Sequence, residues 1–400
     1  MPVTLPHTRT LTVIAQDPHV RNPDGTLVRA QVEIPAEDLA AGPWGYRVHV
    51  IDYDASTGTL YAPRPVPNPP IVDGRYVDPY QGAPDDTLLN DPGFHAQNVY
   101  ALVMRTLARF ERALGRRICW GFAHHQLKVA PHAFAEANAF YSRAHESLLF
   151  GYFPGAMDSG TVLSALSHDV IVHETTHALL DGMRRRFMEP SSPDQAAFHE
   201  GFADIVALLS VFSLRDVVAV LLRRAAQATD GPPDRIPGSA LDPDFLRESA
   251  LMGLAEEMGS EMSAVRGQPL RRSASLRPSR RYLDEEEFLP PHRRGEVLVA
   301  ATLNAFLEVW TSRAQGLRRF DGDLLDVERV VEEGADAADY LLTMSIRALD
   351  YLPPVHLEFC DYLSAMLTAD YEIRPDDSRF GFRDHLRRSF QAYGIDPVGV

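Results

Sequence analysis

Thiols are nearly absent from this chain. Cys119 and Cys360 are the only two among 400 residues, so a thiolate metal cage or a disulfide framework is excluded and one optional bridge remains. Positive charge is also short: 39 Lys and Arg stand against 55 Asp and Glu, a formal net charge of −16. A nucleic-acid partner would need the opposite excess, and short basic runs such as "MRRRF" at 183–187 and "PSRRY" at 278–282 read as solvated faces. No stretch approaches the ~20 apolar residues of a membrane span. The N-terminus, "MPVTLPHTRTLTVIAQDPHV", shows no basic start followed by an apolar run of signal-peptide length. No nucleic acid and no membrane is expected as a partner. The expected location is cytoplasmic, with export by a leaderless route left open.

What is present divides into two halves. Residues 1–60 read as strands: "TLTVIAQ", "TLVRAQVEI" and "YRVHVIDYD" are β-branched and partly alternating, punctuated by "NPDG" and "AGPWG" turns. The proline-rich connector "YAPRPVPNPP" follows at 61–70. The apolar residues of 91–117 recur at helical spacing up to Gly115. From about residue 158 onward, 159–181, 194–227, 294–315, 334–351, 355–370 and 380–393 read as helices, and 228–292 as loop with short helices. A chain of 400 residues exceeds the usual single core. The expected architecture is α+β, with a β-rich N-terminal lobe over 1–158 and a mainly helical C-terminal lobe over 159–400. Substrates commonly bind in the cleft of such a pair.

The segment "SHDVIVHETTHALLDG" at 167–182 carries the chemistry. On a helix, His173 and His177 share a face, and two imidazoles at that spacing reach one tetrahedral Zn²⁺. Glu174 is rotated from the pair, toward a metal-bound water. The bland alternative is a buried helix with two hydrogen-bonded histidines. A catalytic zinc needs a third ligand, and "AAFHEGFADIVALLS" supplies Glu200, with Asp204 one turn later to orient a ligand histidine.

These two motifs together, "HETTH" then "HEGFAD", resemble the thermolysin-like and fungalysin-like zinc metallopeptidases, the gluzincins. In the same order "NAFY" (138–141) resembles their substrate-pairing edge strand, "RSASLRP" (272–278) the segment whose arginine binds a substrate carbonyl, and "PPHRRGEVLVAATLNAF" (290–306) the stretch with the oxyanion-stabilising histidine. The resemblance implies a thermolysin-like fold with the zinc cleft between its lobes. It makes His173, His177 and Glu200 ligands of one Zn²⁺ per chain and Glu174 the general base. Asp204 becomes the partner of His173. Asn138 and Ala139 grip the substrate backbone by strand addition, Arg272 and His292 complete the site, and Glu287 orients His292. The implied activity is endopeptidase action on a peptide or protein substrate. The alternative is a catalytically weak or inactive zinc-binding peptide-recognition protein on the same scaffold.

Departures qualify the match. The family's oxyanion tyrosine has no counterpart in 178–199, which leaves Tyr282, Tyr152 or His292 with the metal for that role. His199 stands where thermolysin-like enzymes usually have an asparagine. The helix after Glu200 runs "IVALLSVF" where secreted members cluster calcium-binding carboxylates, so calcium is not expected, although Asp169 matches one acid of that cluster. An aminopeptidase of the wider group would need a Gly-x-Met-Glu-Asn-type segment, and none precedes His173.

Overall fold

The computed structural model describes residues 5–155, 160–227, 234–247, 272–321, 323–377 and 380–398. It is a mixed α+β structure with a small sheet and a mainly helical C-terminal region. The chain forms two compact units. Among the described residues the first runs to Met183 and the second begins at Arg184. The expected lobe boundary at 158/159 lies outside the described residues.

In the first unit, β1 (Thr8–Ile14) and β2 (Arg29–Pro35) pair antiparallel, Thr8 opposite Pro35 and Ile14 opposite Arg29. The larger sheet contains β3 (Val48–Val50), β4 (Leu127–Phe134), β5 (Ala139–Ser142), β6 (Ser147–Pro154) and β7 (Thr161–Leu163). β3 and β6 flank β4 in parallel, while β5 and β7 pair antiparallel with different parts of β6. Helix α1 (Pro92–Leu114) starts at the Asp91 cap, whose side chain accepts from Gly93 N–H, and stops at Gly115 with φ 66°, a left-handed value that suits glycine. The helical period of 91–117 forecast these limits to within a few residues.

The fully buried Asn98 of α1 ties elements together. Its Oδ1 accepts from Ile14 N–H and its amide donates to Ala165 C=O, both at 3.0 Å. The expected helix over 159–181 is shorter than its apolar pattern suggests. Thr161 to Leu163 pair with β6 and Ser164 to Leu166 form a 3-10 turn, so helix α2 runs only from His168 to Met183. The β-branched Thr161 and Val162 gain more from sheet pairing than from a helical turn.

The second unit contains α3 (Pro193–Phe212), α4 (Arg215–Gln227), α5 (Pro291–Asp321), α6 (Val327–Ala348), α7 (Phe359–Ile373) and α8 (Phe382–Ala392). The expected single helix over 194–227 breaks at Ser213–Leu214, where the axis turns by 74°. The Ser213 hydroxyl there donates back to Ser210 C=O, a side-chain bond that competes with the helical ladder. Among the described residues no single helix is long and apolar enough to cross a membrane. Ser192 caps α3 by accepting Gln195 N–H at 3.1 Å. Asp194 in its first turn receives Arg294 from α5 and Phe359 N–H from α7.

Along this crossing α3 and α5 meet backbone to backbone. A Cβ built on Gly201 would stand 3.0 Å from Gly295 O, and one on Gly295 3.0 Å from Ala197 O. Neither carbonyl can swing aside as a side-chain tip can. Gly201→Ala and Gly295→Ala should each destabilise the chain by about 1–3 kcal/mol through overpacking. Urea unfolding monitored by circular dichroism reads this as a lowered midpoint at unchanged slope.

Candidate metal centre

Helix α2 is buried from His168 to Asp181. Val170, Ile171, Val172, Ala178, Leu179 and Leu180 pack into the core, while the hydroxyls of Thr175 and Thr176 return to Ile171 C=O and Val172 C=O four residues earlier. The i, i+4 spacing brings the His173 and His177 rings to 4.5 Å between centroids, edge to face. Both are buried. Glu174 is buried too, and its Oε2 accepts the N–H of Tyr141 on β5 at 3.0 Å.

That strand is the expected "NAFY" edge. Gly151 N–H donates to Asn138 C=O, so by the antiparallel alternation the main-chain groups of Ala139 and Tyr141 face away from β6. Ala139 N–H is met by Asn138 Oδ1 at 2.9 Å and Tyr141 N–H by Glu174. The edge is therefore shared: Asn138 and Ala139 lie where the resemblance places substrate contacts, while the next outward amide fixes the expected base.

Sequence reasoning missed a second tie between α2 and β5. Asp181, buried near the end of the helix, accepts the Tyr141 hydroxyl at 2.8 Å and the Arg143 guanidinium at 2.6 Å. Burial and the Asp181 carboxylate push the Tyr141 phenol well above its ordinary range. The available signal was Asp181 at i+4 from His177, one turn along the same face.

In the second unit Glu200 and Asp204 are partly buried one turn apart on α3. The Gly201–Gly295 approach sets Glu200 beside the start of α5, where His292 Nδ1 stands 3.4 Å from Glu200 Oε2. Arg272 donates through Nε to the buried Glu296 at 2.8 Å. Arg293 holds the other Glu296 oxygen. Burial outweighs these two cations and raises the Glu296 carboxyl above its usual range. Glu287 does not orient His292 as expected. Its carboxylate accepts from Arg293 Nη2 at 2.6 Å and Nε at 3.1 Å, because the longer, permanently charged guanidinium on the next residue reaches it first. The two candidate oxyanion tyrosines are engaged as well, Tyr152 donating to Asp54 at 2.7 Å and Tyr282 to Arg277 C=O at 2.8 Å.

At the head of α2, the Ser167 hydroxyl lies 2.9 Å from Asp17 Oδ2 and 2.8 Å from Asp169 Oδ1. One hydroxyl proton cannot serve two carboxylates, so the second contact needs a carboxyl proton. Below about pH 6 Asp169 supplies it: burial, reinforced by the charge of Asp17, pushes its pKa up to about 6.

No protein-family model matches the chain, and no curated protein matches it. The site thus stands on its geometry. The folded-state value of Asp169 lies above its unfolded value of about 4, so the folded chain keeps a proton that the unfolded chain releases. Stability from this group is present below about pH 4 and is lost as pH rises toward 6. Asp169→Asn should flatten that limb of the stability–pH curve, measured by urea unfolding between pH 4 and 7. An unchanged slope would refute the shared proton.

Proposed function

We propose that the chain is a zinc-dependent endopeptidase with a thermolysin-like fold, in which His173, His177 and Glu200 hold the metal and Glu174 is the general base. One observation carries the reading. The His173 and His177 rings stand 4.5 Å apart, edge to face, on one buried helix with the buried Glu174 beside them. Two imidazoles and a carboxylate are also the donor chemistry of a catalytic zinc site with its fourth position open. When bound, the ion supplies Lewis acidity, lowering the pKa of water and polarising a peptide carbonyl.

The chain's own residues divide the remaining work. Glu174, with one oxygen pinned by the Tyr141 amide, takes a proton from the attacking water and returns it to the leaving amine. Asn138 and Ala139 align an extended peptide along β5. His292, exposed at the start of α5, donates to the developing oxyanion. Arg272, anchored by Glu296, faces a substrate carbonyl. The engagement of both Tyr152 and Tyr282 favours a second reading, a zinc-binding peptide-recognition protein with little or no turnover.

Glu174→Gln decides between them. On the first reading elemental analysis finds one zinc per chain in both wild type and variant, and casein hydrolysis falls by about 10²–10⁴-fold in the variant. Bound zinc without chelator-sensitive hydrolysis by the wild type would support the second reading, and a wild type purified without stoichiometric metal would sink both.

A further inference from the structure

A second set of titratable side chains in the first unit has no part in the proposed peptidase chemistry. Asp52, His132 and His95 form a hydrogen-bonded chain that ends on a backbone carbonyl. Asp52 Oδ1 lies 2.9 Å from His132 Nδ1, His132 Nε2 lies 2.9 Å from His95 Nδ1, and His95 Nε2 lies 3.0 Å from Leu89 C=O. The protons can be assigned from the far end. A carbonyl only accepts, so His95 Nε2 carries hydrogen. Burial holds the His95 pKa down to about 4, so its ring is neutral and Nδ1 accepts. His132 Nε2 therefore donates to it. His132 Nδ1 then meets Asp52 Oδ1, so a proton is shared between the imidazole and the carboxyl at this end of the chain.

This pair borders a cavity of about 300 Å³ lined by Asp52, Asp54, Tyr61, Arg64, His132 and Tyr152. Asp54 is already saturated by the Tyr152 hydroxyl and the amides of Ser56 and Thr57. Asp52 and Arg64 are not. Asp52 is 7% exposed, and its second oxygen stands 3.7 Å from Arg64 Nη2, beyond hydrogen-bonding distance. The buried Arg64 Nε has no hydrogen-bond partner among the described residues. A buried charged donor left unmet costs more than an ordinary hydrogen bond contributes. The cavity thus offers one cation and one anion side by side, each with capacity to spare.

We propose that this cavity binds a free α-amino acid, its carboxylate on the Arg64 guanidinium and its ammonium on Asp52. The ligand's opposite charges sit on either side of one carbon, and the cavity's opposite charges sit 3.7 Å apart. A carboxylate alone would face Asp52 as well as Arg64. An amine or a metal cation alone would meet Arg64. Only a zwitterion satisfies both. The cavity volume accommodates a small side chain such as that of alanine.

Isothermal titration of the full chain with L-alanine tests this, with N-acetyl-L-alanine, which lacks the ammonium, and L-alaninamide, which lacks the carboxylate, as the paired probes. The expected result is saturable binding of one L-alanine, at least about tenfold tighter than either probe. Arg64→Gln should weaken L-alanine binding by at least about tenfold. Arg64→Lys, which keeps the charge but loses the planar fork, should also bind more weakly and serves if the glutamine variant does not fold. Absence of saturable L-alanine binding overturns the proposal, and so does equal binding of N-acetyl-L-alanine. Wild-type affinity in the Arg64 variants overturns it too, since that is the result expected if alanine instead chelated a metal at His173 and His177.

Discussion

A helix that carries Asp169, His173, Glu174, His177 and Asp181 lies away from water along nearly its whole length, and the neighbouring architecture is shaped by that fact. Ionisable groups survive burial only when protein atoms replace the lost hydration. Asp181 is met by a phenol and a guanidinium, Glu174 by a backbone amide of the edge strand, and Asp169, below about pH 6, by a proton it retains. Each of these contacts fixes α2 against β5 or against the chain near Asp17. Tight seating of a polar helix is what preorganised chemistry requires, because a base that wanders by an ångström loses its alignment.

The second unit solves a related problem with glycine. Gly201 and Gly295 allow α3 and α5 to touch at their backbones, so the residue before the first glycine, Glu200, comes within 3.4 Å of His292, which lies three positions before the second. Larger residues would hold the helices further apart and separate that pair. Close approach also explains the surrounding charge network. Arg294 reaches Asp194 at the head of α3, and Arg272 with Arg293 converges on the buried Glu296. A buried carboxylate with two guanidiniums is stable only as a complete set.

Much of this was legible residue by residue. The period of 91–117 and the Asp91 and Gly115 signals defined α1, since capping chemistry is local. The i, i+4 spacing placed His173 and His177 on one face, because a regular helix admits no other outcome. Where the reading failed, the deciding partner was distant. "SGTVLSAL" looks helical by apolarity, yet Thr161 to Leu163 pair with β6. Leu127–Phe134 has no turn or periodic signal that singles it out, and it becomes β4 because parallel neighbours on both sides complete its hydrogen bonds. Glu287 was given to His292 on sequence proximity and belongs to Arg293.

Spacing and residue type alone determined the candidate donor set, the identity of the candidate base, and the change from strand-rich to helix-rich chain, all of which depend on periodicity within a single segment. Tertiary structure decided which carboxylate meets which cation, where α2 begins, that Tyr141 N–H holds Glu174, and that Asp52 and Arg64 stand 3.7 Å apart over a cavity. Such tertiary contacts join residues 150 positions apart or more, as Asp17 and Ser167 or Asp194 and Phe359 are. No local pattern encodes such pairings, because the free energy that selects them comes from burying both partners together.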